Sequence, residues 1–200
     1  MHQPLLGQTT RESGRRRAVL TRAGFTMLEL MVVLGIVCVL GAMAAVIMPS
    51  AVSTSKSDSA MTRVVSTLRT AREQAISQRR NIQVVFNAPN QIVVSRVEVP
   101  SGTTTTIATV WLESGMRFVL SAGVPDTPDA FGNAAATSFG SATSIAFTSE
   151  GQLIDQHGDL VNGSVFLGRY NDATSARAVT IFGPTALIRQ WRWSGGQWTS

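Results

Sequence analysis

Apolar and polar positions along this chain follow three regimes. From Phe25 to Met48 nearly every residue is apolar, and Glu29 is the only charge. These 24 residues, at about 1.5 Å each, would make a helix of about 36 Å, enough to cross a bilayer core of about 30 Å. The segment spans a membrane or packs among equally apolar neighbours. Beyond the Ser-rich stretch from Ala51 to Ser59, Met61, Val64, Val65, Leu68, Ala71, Ala75 and Ile76 recur at spacings of three and four. That pattern predicts one apolar face of an amphipathic helix ending near Arg80. Pro49, between the two regimes, is expected to kink or interrupt the helix.

The third regime begins at Ile82. Short runs rich in Val, Ile, Thr and aromatic residues occupy 82–86, 91–97, 105–112, 116–120, 144–148, 152–155, 161–167, 176–182 and 186–193. Asn87-Ala-Pro-Asn90, Pro100-Ser-Gly102, Glu150-Gly151 and Gly183-Pro184 separate several of them as turns, and Asn162-Gly163 fits a strand start. Connections this short imply antiparallel hairpins. The expected fold is therefore α+β: a long N-terminal helix, transmembrane in its first half and amphipathic in its second, packed on an antiparallel β-sheet. The parts are a basic leader over 1–24, an apolar helix over 25–48, an amphipathic helix over 49–80 and a β-rich domain over 81–200. Within the last, residues 121–143 are rich in Ala, Gly, Ser, Thr and Pro and exceed an ordinary connection. They read either as a flexible loop without a role or as a surface loop that touches a partner.

Charge sharpens the N-terminal reading. Residues 1–24 carry Arg11, Arg15, Arg16, Arg17 and Arg22 against Glu12 alone. Such a flank stays cytoplasmic by the positive-inside rule, so the rest of the chain is exported. The whole chain has 17 basic and 12 acidic residues, but without the leader 12 and 11 remain. Nucleic-acid binding thus gains little support from overall charge. A secretory signal peptide shares the basic start, with Ala42, Ala44 and Ala45 imitating a cleavage site, but its apolar region is only about 7 to 15 residues long. It would also have no use for Glu29, since an acid deep in a bilayer costs about 2.5 to 3.5 kcal/mol and ordinarily has a partner or a function.

Gly24-Phe25-Thr26-Met27-Leu28-Glu29-Leu30 resembles the type III signal of type IV prepilins and pseudopilins: a basic leader ending in Gly, then Phe, a carboxylate at the fifth position after the cut, and a long apolar helix. The resemblance implies cleavage between Gly24 and Phe25 by a prepilin peptidase, N-methylation of Phe25, and survival of the helix. The new ammonium on Phe25 can then meet the Glu29 carboxylate of an adjoining subunit, replacing two isolated buried charges with one pair. Glu29 is the assembly residue on this reading. Leu68-Arg69-Thr-Ala71-Arg72-Glu73-Gln-Ala75-Ile76, the strand 82–86 and Phe147-Thr-Ser-Glu-Gly151 further resemble the GspH/FimT group of minor pseudopilins and minor pilins. Membership implies a structural subunit of a type II secretion pseudopilus or a type IV pilus. The implied partners are the peptidase/methyltransferase, other pilins or pseudopilins, and an inner-membrane assembly platform. The implied location is the inner membrane by a single helix, with the C-terminal domain periplasmic.

Some pilus-branch members bind DNA through a C-terminal Gly-Arg-x-Arg motif, which makes a DNA-binding minor pilin of an uptake machine the alternative. The matching stretch here is Arg189-Gln-Trp191-Arg192-Trp193, without the Gly and with the arginines three apart, hence on opposite faces of a strand. Arg189, Trp191, Arg192 and Trp193 are the candidate DNA or partner contacts; packing of the tryptophans in the core is the simpler reading. An enzyme needs a constellation that is missing. His2 leaves with the leader, and His157 sits in the turn-like Asp155-Gln-His157-Gly-Asp159, too few ligands for a convincing metal site. No cofactor or metal is expected. Cys38 is the single cysteine and lies in the apolar helix, so no intrachain disulfide can form.

Overall fold

The helical regimes of the sequence join into one element. The computed structural model describes residues 24–200; the leader expected over 1–24, with His2 and its arginines, lies outside the described residues save for Gly24. Helix α1 runs Met27–Gln78, so the interruption expected at Pro49 does not occur within its bounds. A proline removes one N–H donor and crowds one carbonyl, a local cost of about 3 kcal/mol that the turns on either side can offset. The chain divides into a first unit ending at Val46 and a second comprising Ile47–Ser200.

In the first unit, residues Met27–Ala44 have a mean hydropathy of 2.4 and are wholly unburied. Among the described residues nothing covers this apolar surface, which suits a helix meant for lipid or for neighbouring helices.

In the second unit α1 supplies one wall of the core. Met61, Val64, Val65, Leu68, Ala71 and Ala75 are buried as their spacing predicted, joined by Ala60. Ile76 departs from the expectation at 43% exposed. It falls at the margin of the apolar stripe, where it lies against the turn at Gly151 instead of entering the core.

The β-rich part forms two sheets where the sequence pattern suggested one. The first contains β1 (Ile82–Asn87), β2 (Gln91–Val97), β3 (Thr104–Trp111), β6 (Ile145–Phe147) and β7 (Leu153–Asp155), in the order β3-β2-β1-β6-β7. The second contains β4 (Arg117–Phe118), β8 (Gly163–Arg169), β9 (Asp172–Phe182), β10 (Leu187–Trp193) and β11 (Trp198–Thr199), in the order β11-β10-β9-β8-β4, while β5 (Thr137–Ser138) pairs with β8. All the pairings are antiparallel. A run of β-branched and aromatic residues marks a strand without saying which sheet receives it, so the split was not readable from pattern alone.

Both sheets meet α1 in one core. Ile82, Val84, Ile92 and Phe147 of the first sheet share a cluster with Val165, Leu167, Val179 and Ile181 of the second and with Leu68 of the helix. Burying a side chain such as Leu68 or Phe147 stabilises by about 2 to 3 kcal/mol.

Residues 121–143 form a cover over the second sheet, not a free loop. β8 is buried at six consecutive positions, Gly163 to Gly168, so both of its faces are occupied. This segment runs along its edge, where the Phe166 N–H donates to the Ala136 carbonyl at 2.6 Å, and reaches its far face, where Trp198 packs on Phe166 and its indole donates to the Pro125 carbonyl at 3.1 Å. Val124 joins Ala176 and Trp193 in a second small core. Phe139 of the same segment enters the main core instead, and Gly163 is what admits it, because a Cβ at that position would lie 2.0 Å from the Phe139 ring.

Candidate processing and interaction sites

At the N-terminus the helix begins where the cleavage signal ends. Gly24 and Phe25 lie outside α1 and are exposed. The Thr26 hydroxyl accepts the Glu29 backbone N–H at 3.2 Å, and the Thr26 carbonyl accepts the Leu30 N–H at 3.1 Å. Thr26 is therefore the N-cap, and Glu29 is the third residue of the first turn, the spacing of a capping box. Two consequences follow. The Gly24–Phe25 peptide bond is held in non-helical, accessible chain. The Glu29 carboxylate sits at the positive end of the helix dipole, one turn from Phe25.

At the C-terminal strand the sequence-predicted residues separate onto two faces, as their spacing implied. Arg189 and Trp191 face residues 121–143. There Asp129 accepts from the Thr180 hydroxyl at 2.5 Å, from the Trp191 indole at 3.2 Å and from the Arg189 guanidinium. Trp193, on the same face, is buried against Trp198 with ring centroids 5.3 Å apart. Arg192 faces the helix and donates to Asp58 at 2.6 Å. The other Asp58 oxygen takes Arg177 at 2.7 Å, whose side chain is only 2% exposed. Each arginine of the candidate nucleic-acid stretch is thus engaged by an aspartate of the same chain.

Asp58, Asp129 and Arg177 are the interaction residues that the sequence did not single out. Asp58 lies in a Ser-rich run and Asp129 in a turn-like Pro-Asp-Thr-Pro-Asp context, so neither carries a periodic signal. Arg177 is the one charged residue in the buried stretch from Ser175 to Ile181, and its charge among uncharged residues was the available hint: a cation within a buried run requires an acid.

The helix motif and the Phe147–Gly151 turn, read separately in sequence, touch in the structure. Arg72 Nε donates to the Gly151 carbonyl at 2.9 Å. Gly151 has a φ of +80°, and a Cβ there would lie 2.9 Å from Ile76 Cδ1. Its conformation and the closeness of the helix both favour glycine.

The turn around His157 is organised by its own backbone. Asp155 Oδ1 accepts the N–H groups of His157 at 2.8 Å and Asp159 at 3.0 Å. Partial burial raises the Asp155 pKa, but these N–H donors outweigh it and leave the group below its ordinary value. Among the described residues, no group of three or more His, Cys, Asp or Glu is placed to hold a metal ion.

Comparison with known proteins addresses both ends of the chain. Residues 60–198 match the family described as Type II transport protein GspH. Residues 20–45 match the prokaryotic N-terminal methylation motif. No protein with a curated description matches the chain. Among solved structures, the type IV minor pilin FimU of Pseudomonas aeruginosa is 15% identical, with a TM-score of 0.45, covering 72% of this chain and 92% of that one. The minor pseudopilin EpsH from the type 2 secretion system of Vibrio cholerae is 10% identical, with a TM-score of 0.46, covering 68% of this chain and 97% of that one. With its β-rich unit matched from Ala60 to Trp198 and its N-terminus carrying the methylation motif, the chain belongs to the GspH family of type II transport proteins.

Proposed function

We propose that this minor pseudopilin or pilin subunit is cut between Gly24 and Phe25 and methylated on Phe25. It then assembles into the filament of a type II secretion system or type IV pilus, with residues 81–200 on the periplasmic side. The family match carries the assignment as a filament subunit. The observation that carries the processing step is local: an exposed Gly24–Phe25 bond lies directly before a Thr26-capped helix whose first turn holds the only charge of an unburied apolar stretch. A methylation motif over residues 20–45 supports the same step.

The role is mechanical, not catalytic. The apolar helix anchors the subunit in the inner membrane before assembly and packs against neighbouring helices afterwards, with Glu29 answering the new N-terminus of an adjoining subunit. The β-rich unit is carried outside, where it contacts other subunits. The DNA-uptake alternative has no observation in its favour: Arg189 and Arg192 are held by Asp129 and Asp58, and Trp193 is buried.

Intact mass of the protein extracted from membranes tests the reading. A species that begins at methylated Phe25 is expected. One that begins near Ala45, or that retains Met1, overturns it.

A further inference from the structure

Strand β10 has one side open. It pairs with β9 from Leu187 to Arg192, but β11 reaches it only at Arg192 and Trp193. The backbone from Leu187 to Trp191 therefore has no strand on its other side among the described residues. Unpaired edge groups of this kind are a ready template for another strand.

The open edge is flanked by a depression on each face. On the helix side a cavity of about 360 Å³ is walled by Arg69, Arg72 and Glu73 and floored by Ile188. On the opposite side a cavity of about 330 Å³ is lined by Phe131, Phe182 and Leu187, with Arg189 at its margin. Phe182 and Leu187 lie opposite each other in register and are 40% and 49% exposed, while Phe131 stacks on Phe182 at 6.3 Å. Side chains of an incoming strand alternate between the two faces, so this edge offers a backbone ladder with a pocket for each set.

The two pockets differ in charge. Arg189 is neutralised by Asp129 on the apolar side. On the helix side, Arg69 is exposed and takes part in no ion pair among the described residues, and Arg72 spends only its Nε on Gly151. Glu73 is the single acid there. We infer that the Leu187–Trp191 edge of β10 is a docking site for an extended strand of another protein that presents acidic side chains to Arg69 and Arg72 and large apolar ones to Phe131, Phe182 and Leu187. The inference rests on the filament-subunit reading only for the source of that strand.

The other long edge of the fold is a poorer candidate. Strand β3 is exposed at every position but Val110 and carries a register shift opposite Val94 and Ser95, a bulge of the kind that discourages pairing. It also has no charge with which to select a partner.

The test uses the full chain in nanodiscs and a synthetic peptide of alternating Glu and Leu, capped at both ends. A Lys/Leu peptide and a scrambled peptide of the same Glu and Leu composition serve as controls. The Glu/Leu peptide is expected to slow amide hydrogen exchange at Leu187–Trp191. Arg69→Glu, at an exposed helix position, is expected to weaken its binding about tenfold and to make Lys/Leu the better ligand. Equal binding by Lys/Leu or by the scrambled peptide, or protection at Thr104–Trp111 instead, overturns the inference. So does protection of Leu187–Trp191 without peptide that rises with protein concentration, since the occupant would then be a second copy. The mass of the same preparation reports processing at Gly24 separately, so failure of one reading does not imply failure of the other.

Discussion

Arg177 Nε donates to Asp58 Oδ1 at 2.7 Å across 119 positions of sequence, joining the middle of a buried strand to the helix. The guanidinium also donates through Nη1 to the carbonyls of Ala176 at 2.9 Å and Thr174 at 3.3 Å. Arg192 shares Asp58 from a half-exposed position. The two contacts differ in worth because desolvation differs. Removing the acid leaves Arg177 charged, buried and without its counter-ion, whereas Arg192 can turn to water. Asp58→Asn is therefore expected to lower unfolding stability by about 3 kcal/mol, and Arg192→Gln by less than about 1 kcal/mol. Denaturant titration of the detergent-solubilised protein followed by tryptophan fluorescence compares them; equal losses would mean that burial of Arg177 is not what gives Asp58 its weight.

Asp129 fixes the cover over the second sheet in a similar way, with a side chain 9% exposed that accepts from Thr180, Trp191 and Arg189. Asp129→Ala would leave the Thr180 hydroxyl and the Trp191 indole bonded only to each other, at 3.0 Å, on a partly buried face. The expected result is a loss of about 2 kcal/mol together with faster proteolysis within residues 121–143. Cleavage elsewhere at the same rate as the unaltered protein, with residues 121–143 still protected, would show that Val124, Phe139 and the strand at Thr137–Ser138 hold the cover without the aspartate.

What the sequence disclosed and what it hid divide along the physics of the signals. Leu68 and its partners at three- and four-residue spacing placed the helix face, because burial on one side imposes a period, and the β-branched and aromatic runs at Ile82–Phe86 and Gln91–Val97 placed the strands. The strands at Thr137–Ser138 and Trp198–Thr199 contain two residues each and have no period to show. The cover escaped notice for another reason. Its anchoring depends on Asp129 and on backbone donors such as the Phe166 N–H, and long-range polar pairing leaves no local pattern. The same holds for Arg177. At the N-terminus the reverse applies: Thr26 and Glu29 are three positions apart, so their capping contact was encoded in neighbouring residues.

The hairpin turn between β8 and β9 supplies a pH dependence. Asp172 lies below its ordinary pKa of 3.8, chiefly because the Thr174 hydroxyl donates to it; partial burial opposes the shift, and the Ser175 and Thr174 N–H groups reinforce it. A carboxylate depressed in the folded state contributes stability that is complete above its unfolded value and is lost as pH falls through the folded one. The stability of the unaltered protein is thus expected to decline below about pH 4 more steeply than that of Asp172→Asn, with the difference between them constant at neutral pH. Denaturant midpoints measured from pH 7 downward for both proteins decide it; parallel curves through the acid range would show that the Thr174 contact does not favour the ionised form.

Glu29 carries the prediction closest to function. Its backbone N–H is capped by the Thr26 hydroxyl, so the start of the helix does not depend on the carboxylate, and the exposed Gly24–Phe25 bond precedes that cap. Glu29→Ala should accordingly leave cleavage and methylation intact. Assembly is another matter, because the ammonium freed on Phe25 would enter an apolar stack with no acid to meet it. Removing one partner of a buried pair costs about 3 to 5 kcal/mol, and even the lower figure corresponds to more than about a hundredfold loss in an assembly equilibrium. The processed variant should remain in the membrane and fail to co-purify with filaments. Recovery of Glu29→Ala in filaments at the level of the unaltered subunit would remove the pairing from the mechanism, and retention of the leader in that variant would instead assign Glu29 to recognition by the peptidase.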